Sequence, residues 1–386
     1  MDRSAMEGET RRRLRLRAST QRIVSGDSLV LALGSARARL RPFDQTAEKV
    51  LWRLADGVDV VEELRSLPGE RRPAFAEWFD TLRRGDLLEP ADADGTTLAD
   101  TDLLRFDRLL NRLATYESPD RDRWKILESL RGRTVAVLGV GGLASWVLYN
   151  LVCCGVGRLR LIDADVVELS NLNRSILFAE ADVGRRKIDA VRDSLLRFAP
   201  RTVIEGVELQ VTCADDLAEA LSGVDLLIAT GDKPAWLIRE WVVVAGRRLG
   251  IPTLHPGRGR VGPFDLNDGR GCALCEWADL VSRHPGAPAQ LATLRRLPQS
   301  DPGPISPVGG MTAAFTAQEA FRYLVGVEPV TAGRAWQLNP DLTSRLTGAV
   351  RNDRCPTCGS PDDPARVGPP SELIPGVGAA GHDTRA

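Results

Sequence analysis

TVAVLGVGGLASWVLYNLVCCGVGRLRLID, residues 134–163, decides the fold. Thr134–Leu138 is a β-branched, apolar run of strand length. Gly139, Gly141 and Gly142 break it. From Leu143 to Cys154 the chain is apolar over the length of a helix, Gly155 and Gly157 end that helix, and Leu159–Ile162 is a second strand closing on Asp163. Strand, glycine turn, helix, strand, acid is the order of a nucleotide-binding βαβ unit. The glycines let the backbone approach phosphate, and the helix N-terminus presents free N–H groups to the anion. An acid at the end of the second strand can accept hydrogen bonds from ribose hydroxyls. On this turn alone, a Rossmann-type dehydrogenase fits as well as any other nucleotide-binding protein.

The next residues narrow the choice. DADVVELSNLNRS, residues 163–175, is followed by GRRK, residues 184–187. This run resembles the adenylating domain of the bacterial ThiF/MoeB family, related to ubiquitin-activating enzymes. That family carries Asp-x-Asp-x-Val, then Ser-Asn-Leu-x-Arg, then Gly-x-x-Lys, and here these stand as Asp163/Asp165, Asn171/Arg174 and Gly184/Lys187. The resemblance covers roughly Leu104 to Gly359. It implies a Rossmann-like α/β adenylation domain that uses ATP and Mg²⁺. By the same resemblance the turn of Gly139, Gly141 and Gly142 contacts the nucleotide through its backbone, Asp163 grips the ribose, and Asp165 belongs to the same nucleotide site. Asn171, Arg174 and Lys187 then address the phosphates.

Asp225–Thr230, DLLIAT, is a further buried strand, ending at Gly231-Asp232-Lys233. Ligands of open parallel sheets gather at the carboxyl ends of strands, which puts Asp232 at the right edge. The resemblance makes it the Mg²⁺-binding carboxylate, although the family sequence is Asp-Asn where this chain has Asp-Lys. Arg105-Phe106-Asp107-Arg108 matches an Arg-aromatic-x-Arg segment of the family. There the second arginine, here Arg108, enters the partner subunit's ATP site, implying a homodimer; read without the family, the segment is an amphipathic helix. The expected catalytic set is therefore Arg108, Asn171, Arg174, Lys187 and Asp232.

Seven cysteines occur, four of them as Cys272-x-x-Cys275 and Cys355-x-x-Cys358. Two such knuckles supply four thiolates suited to tetrahedral Zn²⁺. With all four positions taken by protein, the metal is expected to be structural. The wide gap between the pairs matches the family's structural zinc. Thioester-forming relatives use a cysteine on the crossover segment, but none stands between Cys275 and Cys355. Cys153 and Cys154 fall in the apolar helix, and Cys213 is a remote alternative. His255, ending a strand that starts at Ile251, is expected to be structural.

Ahead of the adenylation domain lies a smaller unit. Gln21–Val24, Ser28–Leu33 and Ala36–Arg41 read as short strands punctuated by turns. Helices follow from Thr46, Val60 and Arg72, the last with Phe75, Trp78, Phe79 and Leu82 on one face. Leu87-Leu88 reads as a closing wing strand. This is the order of an α+β winged helix-turn-helix, whose commonest use is DNA binding. The third helix carries aromatic bulk where a DNA reader needs polar side chains. The pattern resembles the leader-recognition element of enzymes that modify ribosomally made peptides. In that family the peptide adds a strand beside the third strand and third helix, here Ala36–Arg41 and Phe75–Leu82.

A net charge of −1 gives no general basic field for nucleic acid, and no apolar run spans a bilayer. The basic N-terminus has no apolar core of a secretory signal. The expected organisation is a flexible N-terminus (1–20), a leader-recognition unit (21–90), a linker (91–103), the adenylation domain (104–359) and a disordered tail (360–386), in a cytoplasmic protein. The combination resembles enzymes that build peptide–nucleotide antibiotics of the microcin C kind. It implies ATP-dependent adenylation of a precursor peptide's C-terminal carboxylate, with or without onward conversion to a peptide–nucleotide bond. Two other readings remain: a non-adenylating ThiF-like partner that hands leader peptide to an azole-forming cyclodehydratase, and an activator of a sulfur-carrier protein.

Overall fold

The structure is a computed structural model; it describes residues 13–17, 20–33, 36–91, 96–117, 121–296 and 305–375. The chain divides into two compact units, residues 1–128 and 129–386.

In the first unit, β1 (Leu14–Leu16) is followed by β2 (Gln21–Ser25), β3 (Ser28–Leu33) and β4 (Ala36–Leu40). The last three form an antiparallel sheet in the order β2-β3-β4. Three helices follow: α1 (Gln45–Asp56), α2 (Val60–Ser66) and α3 (Arg72–Arg84). Asp44 caps α1 and Asp59 caps α2, each carboxylate accepting two backbone N–H groups that the first turn cannot satisfy itself. The closing strand, β5 (Leu88–Pro90), pairs with β1 rather than with the three-stranded sheet. The stretch expected to be a flexible N-terminus thus contributes a strand at Leu14–Leu16, while residues 1–12 lie outside the described part.

A second correction concerns α3. Phe75, Trp78, Phe79 and Leu82 are at most 4% exposed and fill the core with Leu29, Leu31 and Leu40. They do not line an open groove. Trp78 donates its indole N–H to the Arg41 carbonyl at 2.8 Å, fixing the helix to the end of β4. What β4 leaves outward is the alternate set, Arg37, Arg39 and Arg41. Beyond β5, α4 (Asp100–Arg105) begins inside the stretch read as linker, and α5 (Asp107–Leu113) follows. The division between units falls within α6 (Arg123–Gly132).

The second unit holds an eight-stranded, mostly parallel sheet. In chain order it runs β6 (Thr134–Leu138), α7 (Gly142–Cys153), β7 (Arg158–Ile162), α8 (Lys187–Phe198), β8 (Val203–Val207), α9 (Leu217–Ala220), β9 (Leu226–Ala229), α10 (Leu237–Leu249), β10 (Thr253–Gly257) and β11 (Arg260–Asp265). There follow α11 (Ala273–Arg283), α12 (Ala287–Arg296), α13 (Ser306–Leu324), β12 (Trp336–Leu338), β13 (Ser344–Leu346) and α14 (Pro370–Leu373). The spatial order is β13-β12-β11-β10-β9-β6-β7-β8. Strands β8, β7, β6, β9 and β10 are parallel, and β11 to β13 continue the sheet antiparallel. Chain order reverses between β6 and β9, which is the switch point where such sheets take ligands.

Ala136 and Leu138 pack with Leu227 under Ile238, Val242 and Ala245 of α10. The alternate residues Val135 and Val137, equally buried, point to the other face. Helix α7 packs along α13. Helix α12 forms inside the Pro-rich segment 284–307, with Ala287 and Ala292 buried. One more expectation fails here. The tail after Gly359 is ordered through Ile374: Trp277 donates to the Gly368 carbonyl at 2.9 Å, Ser371 donates both N–H and hydroxyl to Glu240, and Ile374 is 2% exposed. Residues 376–386 lie outside the described part. Among the described residues, no helix is long and apolar enough to cross a membrane.

Candidate active site

The carboxyl ends of β6 and β9 meet at Gly139 and Gly231. Gly139 has φ +81°, and a Cβ there would lie 2.8 Å from the Gly231 nitrogen. The position therefore requires glycine twice over, for conformation and for space. Thr230 donates its hydroxyl to the Gly139 carbonyl at 2.5 Å, which ties the two strand ends together. The turn is also held from β7: Asp163 accepts the Val140 N–H at 2.7 Å and the Asp165 N–H at 2.7 Å. Asp163 thus shapes the glycine turn.

Gly141 is the N-cap of α7 and has no side chain to satisfy the first-turn N–H groups. A Cβ on Gly141 would meet nothing within 4 Å. The neighbouring Gly142 is closed in: a Cβ there would be 2.6 Å from Arg174 Cγ. Arg174 is thereby laid across the start of α7. Its guanidinium donates to the Ser170 carbonyl at 2.7 Å and Asn173 Oδ1 at 3.0 Å. Trp146 donates to the Arg174 carbonyl at 3.1 Å, and Ser145 Oγ accepts the Ile176 N–H at 3.2 Å. The loop carrying the arginine is therefore pinned to α7 on both sides of it.

Asn171 is buried, its Oδ1 accepting the Glu168 N–H at 3.1 Å. Lys187 opens α8 and donates from Nζ to Asp165 Oδ2 at 2.7 Å, while its N–H bonds the Asp165 carbonyl at 3.0 Å. Gly184, with φ +88°, donates its N–H to the Val167 carbonyl and turns the chain back to the lysine. Asp232 is exposed one residue past the β9 turn. The structure brings Gly139, Gly141, Gly142, Asp163, Asp165, Asn171, Arg174, Lys187 and Asp232 to the carboxyl edge of β6, β7 and β9. Arg108 belongs to the first unit, on α5, with its side chain 96% exposed and Asp107 at 3.8 Å.

Among the described residues one group of metal-ligating side chains stands out. The sulfurs of Cys272, Cys275, Cys355 and Cys358 lie within 4.8 Å of one another. Separations are 3.7 Å for Cys272–Cys355 and Cys272–Cys358, and 3.2 Å for Cys275–Cys358. Tetrahedral Zn²⁺ with Zn–S of about 2.3 Å requires sulfurs about 3.8 Å apart, so the donor set fits zinc in both chemistry and spacing. The Cys272 N–H points at Cys275 Sγ, 3.4 Å, and the Thr357 N–H at Cys355 Sγ, 3.5 Å. Such N–H groups stabilise thiolate ligands.

The other sulfurs are placed differently from expectation. Cys153 ends α7 and is exposed rather than in its core. Burial pushes the half-buried Cys154 thiol up to about 11, which disfavours a nucleophilic thiolate. His255 is 2% exposed and hydrogen-bonds Thr253 Oγ1 at 3.1 Å. Next to it lie side chains the sequence reading passed over: Arg239, on the first turn of α10, and Arg260 with Glu276. No local signal in the sequence marks them: Arg239 and Glu276 stand on different helices and meet only in the fold.

An open parallel sheet with a glycine turn, cations and a carboxylate at its switch point defines a nucleotide-binding α/β protein. Residues 108–357 match the ThiF family, and the chain belongs to that family of ATP-dependent adenylyltransferases. A sulfur carrier protein adenylyltransferase of Thermus thermophilus is 28% identical over 62% of this chain and 86% of its own. The molybdopterin-synthase adenylyltransferase of Escherichia coli is 28% identical over 68% of this chain and 98% of its own. Among solved structures, E. coli MccB with ATP aligns at TM-score 0.66 and 20% identity over 90% of this chain and all of MccB. PaaA aligns at TM-score 0.68 and 22% identity over 86% of this chain and 98% of its own.

Proposed function

We propose that the protein adenylates the C-terminal carboxylate of a ribosomally made precursor peptide. A carboxylate oxygen attacks the α-phosphorus of ATP, the bond from that phosphorus to the bridging oxygen breaks, and pyrophosphate leaves. Negative charge shifts onto the departing oxygens, so fixed cations favour the step. Arg174 and Lys187 are those cations in this chain, and Arg108 of a second subunit is a third. Asn171 addresses the phosphates, Asp163 the ribose, and Asp165 positions Lys187. A lone carboxylate at a strand end, Asp232, suits Mg²⁺, which is usually held by one or two carboxylates together with substrate phosphates; bound there, the ion would neutralise phosphate charge.

The observation that carries the peptide reading is the extent of the fold likeness. It runs through 90% of the chain to MccB, which one solved structure describes as a microcin C7 biosynthetic enzyme in complex with N-formylated MccA. The matched family region starts only at residue 108. The three-stranded sheet and helices of the first unit supply a leader-binding element, with β4 as the strand a peptide extends. A thioester step has no candidate thiol on the crossover, since no cysteine stands between Cys275 and Cys355.

Sulfur-carrier activation is the second reading, favoured by the names of the 28%-identical relatives. ATP–pyrophosphate exchange decides between them. Exchange that depends on a short precursor peptide encoded beside the gene, and weakens when its leader is removed, supports peptide adenylation. Exchange driven only by a Gly-Gly-ended carrier protein supports the second reading. Tight leader binding with no exchange from any acyl substrate would leave a delivery partner for a cyclodehydratase.

A further inference from the structure

Three charged side chains meet at the carboxyl ends of β9 and β10, on the opposite side of Asp232 from Arg174 and Lys187 in the sheet order. Glu276 of α11 pairs with Arg260 and, at 3.4 Å, with Arg239. Arg239 lies over the Trp236 ring, 5.2 Å from its centroid, and close to Gly257, which ends β10. One carboxylate thus faces two guanidinium groups. Their side chains are only 30% and 22% exposed, so water screens the two positive charges poorly. Burial, and then the Arg239 charge, pushes Arg260 down to about 10; burial lowers Arg239 as well, opposed by the Asp232 charge. His255, facing Arg239, is buried and adds no compensating negative charge. Arg260 Nε is buried without a hydrogen-bond partner among the described residues. A structural ion cluster would be expected to satisfy its donors; here the second carboxylate that acts on Arg239, Asp232, is exposed to water, and Arg260 Nε is left without an acceptor.

We infer that Arg239 and Arg260 form the seat for the acyl substrate's carboxylate, presenting it across Asp232 to the nucleotide held at Gly139–Gly142. This deepens the proposed function and rests on it for the identity of the substrate. A planar carboxylate matches the guanidinium fork, and the Trp236 indole offers an apolar wall to the terminal residue. Glu276 orients both arginines and limits how tightly they hold the carboxylate.

The test uses the full chain with two small probes, N-acetylglycine, a minimal peptide C-terminus, and N-acetylglycinamide, which has no carboxylate. Thermal stabilisation by the acid but not the amide is expected. Arg239→Met, which leaves Arg260 and Glu276 as a balanced pair, should abolish the difference; Glu276→Gln, which increases the surplus charge, should enlarge it. In peptide-dependent exchange Arg239→Met should raise the KM for peptide about tenfold, the scale of one charge-assisted hydrogen bond, with the KM for ATP unchanged. Equal responses of wild type and both variants to N-acetylglycine would overturn the assignment. So would a rise confined to the KM for ATP or a lost response to inorganic pyrophosphate, which would give the pair to the polyphosphate tail. A wild type that responds to N-acetylglycine yet exchanges with no peptide would remove the proposed function and leave the carboxylate seat standing.

Discussion

Lys187 Nζ stands 2.7 Å from Asp165 Oδ2, with the lysine side chain 12% exposed and the aspartate 72%. The lysine is thus withdrawn from water while its partner remains hydrated. Asp165 holds the ammonium in place, and in the proposed reaction an incoming phosphate would compete for it with several oxygens instead of two. Lys187→Ala is expected to lower ATP–pyrophosphate exchange about 100- to 1000-fold, the cost of losing one preorganised donor to developing charge. Asp165→Asn should cost less, because the amine stays in place. Both should keep the wild-type melting temperature within a few degrees. Near-normal exchange in Lys187→Ala would remove the lysine from the site.

Gly141 and Gly142 are adjacent but make opposite predictions. A methyl group on Gly142 collides with Arg174 Cγ at 2.6 Å, so the arginine must swing away. One on Gly141 meets nothing. Gly142→Ala should lower kcat about tenfold or more, since small displacements of a positioned group are costly, with little change in stability. Gly141→Ala should fold normally and raise the KM for ATP, if the nucleotide approaches the backbone there. Equal, mild effects on the KM for ATP from both variants would mean that Arg174 is not positioned by this contact.

Local signals made the nucleotide half legible. Gly139 and Asp163 lie within one βαβ unit, where spacing marks them, and the Asn171–Lys187 run follows directly, where the resemblance to the ThiF/MoeB pattern marks it. The four zinc-type cysteines were readable across a long gap because thiols in C-x-x-C pairs have few other roles. What escaped depends on contacts between distant residues. Pro370–Leu373 is helical because Glu240, far away on α10, accepts from Ser371. The aromatic stripe of α3 was visible by period, but period cannot say whether Phe75 and Trp78 face a groove or a core. Arg239 was hidden because nothing in its own neighbourhood marks an arginine that shares Glu276 with Arg260.

Removal of metal should act on stability before chemistry. The four sulfurs join the β11–α11 connection to the stretch before α14, and Cys272, Cys275 and Cys355 are buried with Trp277. Four unligated thiols in that core lose their common partner. Dialysis against a strong chelator is expected to release about one Zn²⁺ per chain and lower the melting temperature, with re-addition restoring it. Cys358→Ser should show a weaker form of the same defect. A chelated protein that keeps its melting temperature but loses exchange would instead make the metal catalytic.

The first unit contains a buried ion network. Arg123 is 1% exposed and pairs with Glu89, also 1% exposed, and with Glu117 at 2.9 Å. Glu89 in turn accepts from Arg15 at 2.9 Å. Burial pushes Arg123 down to about 9, with help from the Arg15 and Arg17 charges. Glu89→Gln leaves a buried guanidinium short of a counter-charge and should destabilise the protein by about 3 kcal/mol, read from urea unfolding. A change below 1 kcal/mol would show that water reaches the site.

His255 sets a pH dependence whose sign follows from its burial. Its side chain is enclosed, hydrogen-bonded to Thr253, and faces the Arg239 cation; burial first, and that charge second, push it from 6.5 down to about 3. In the unfolded chain the ring takes up a proton as pH falls through 6.5, whereas the native ring stays neutral until about 3. Between those values the unfolded state binds more protons, so stability falls with acidification by up to about 1.4 kcal/mol per pH unit from this group. Above pH 6.5 the ring is neutral in both states and contributes no slope. His255→Gln keeps a hydrogen-bonding side chain and removes the titration. The difference between wild-type and variant unfolding free energies should be flat above pH 7 and should shift in favour of the variant on going from pH 6 to pH 4; carboxylates that titrate in both proteins cancel in it. Parallel curves across that range would mean that the native ring takes up its proton at the ordinary pH, which the enclosure by Thr253 and Arg239 does not allow.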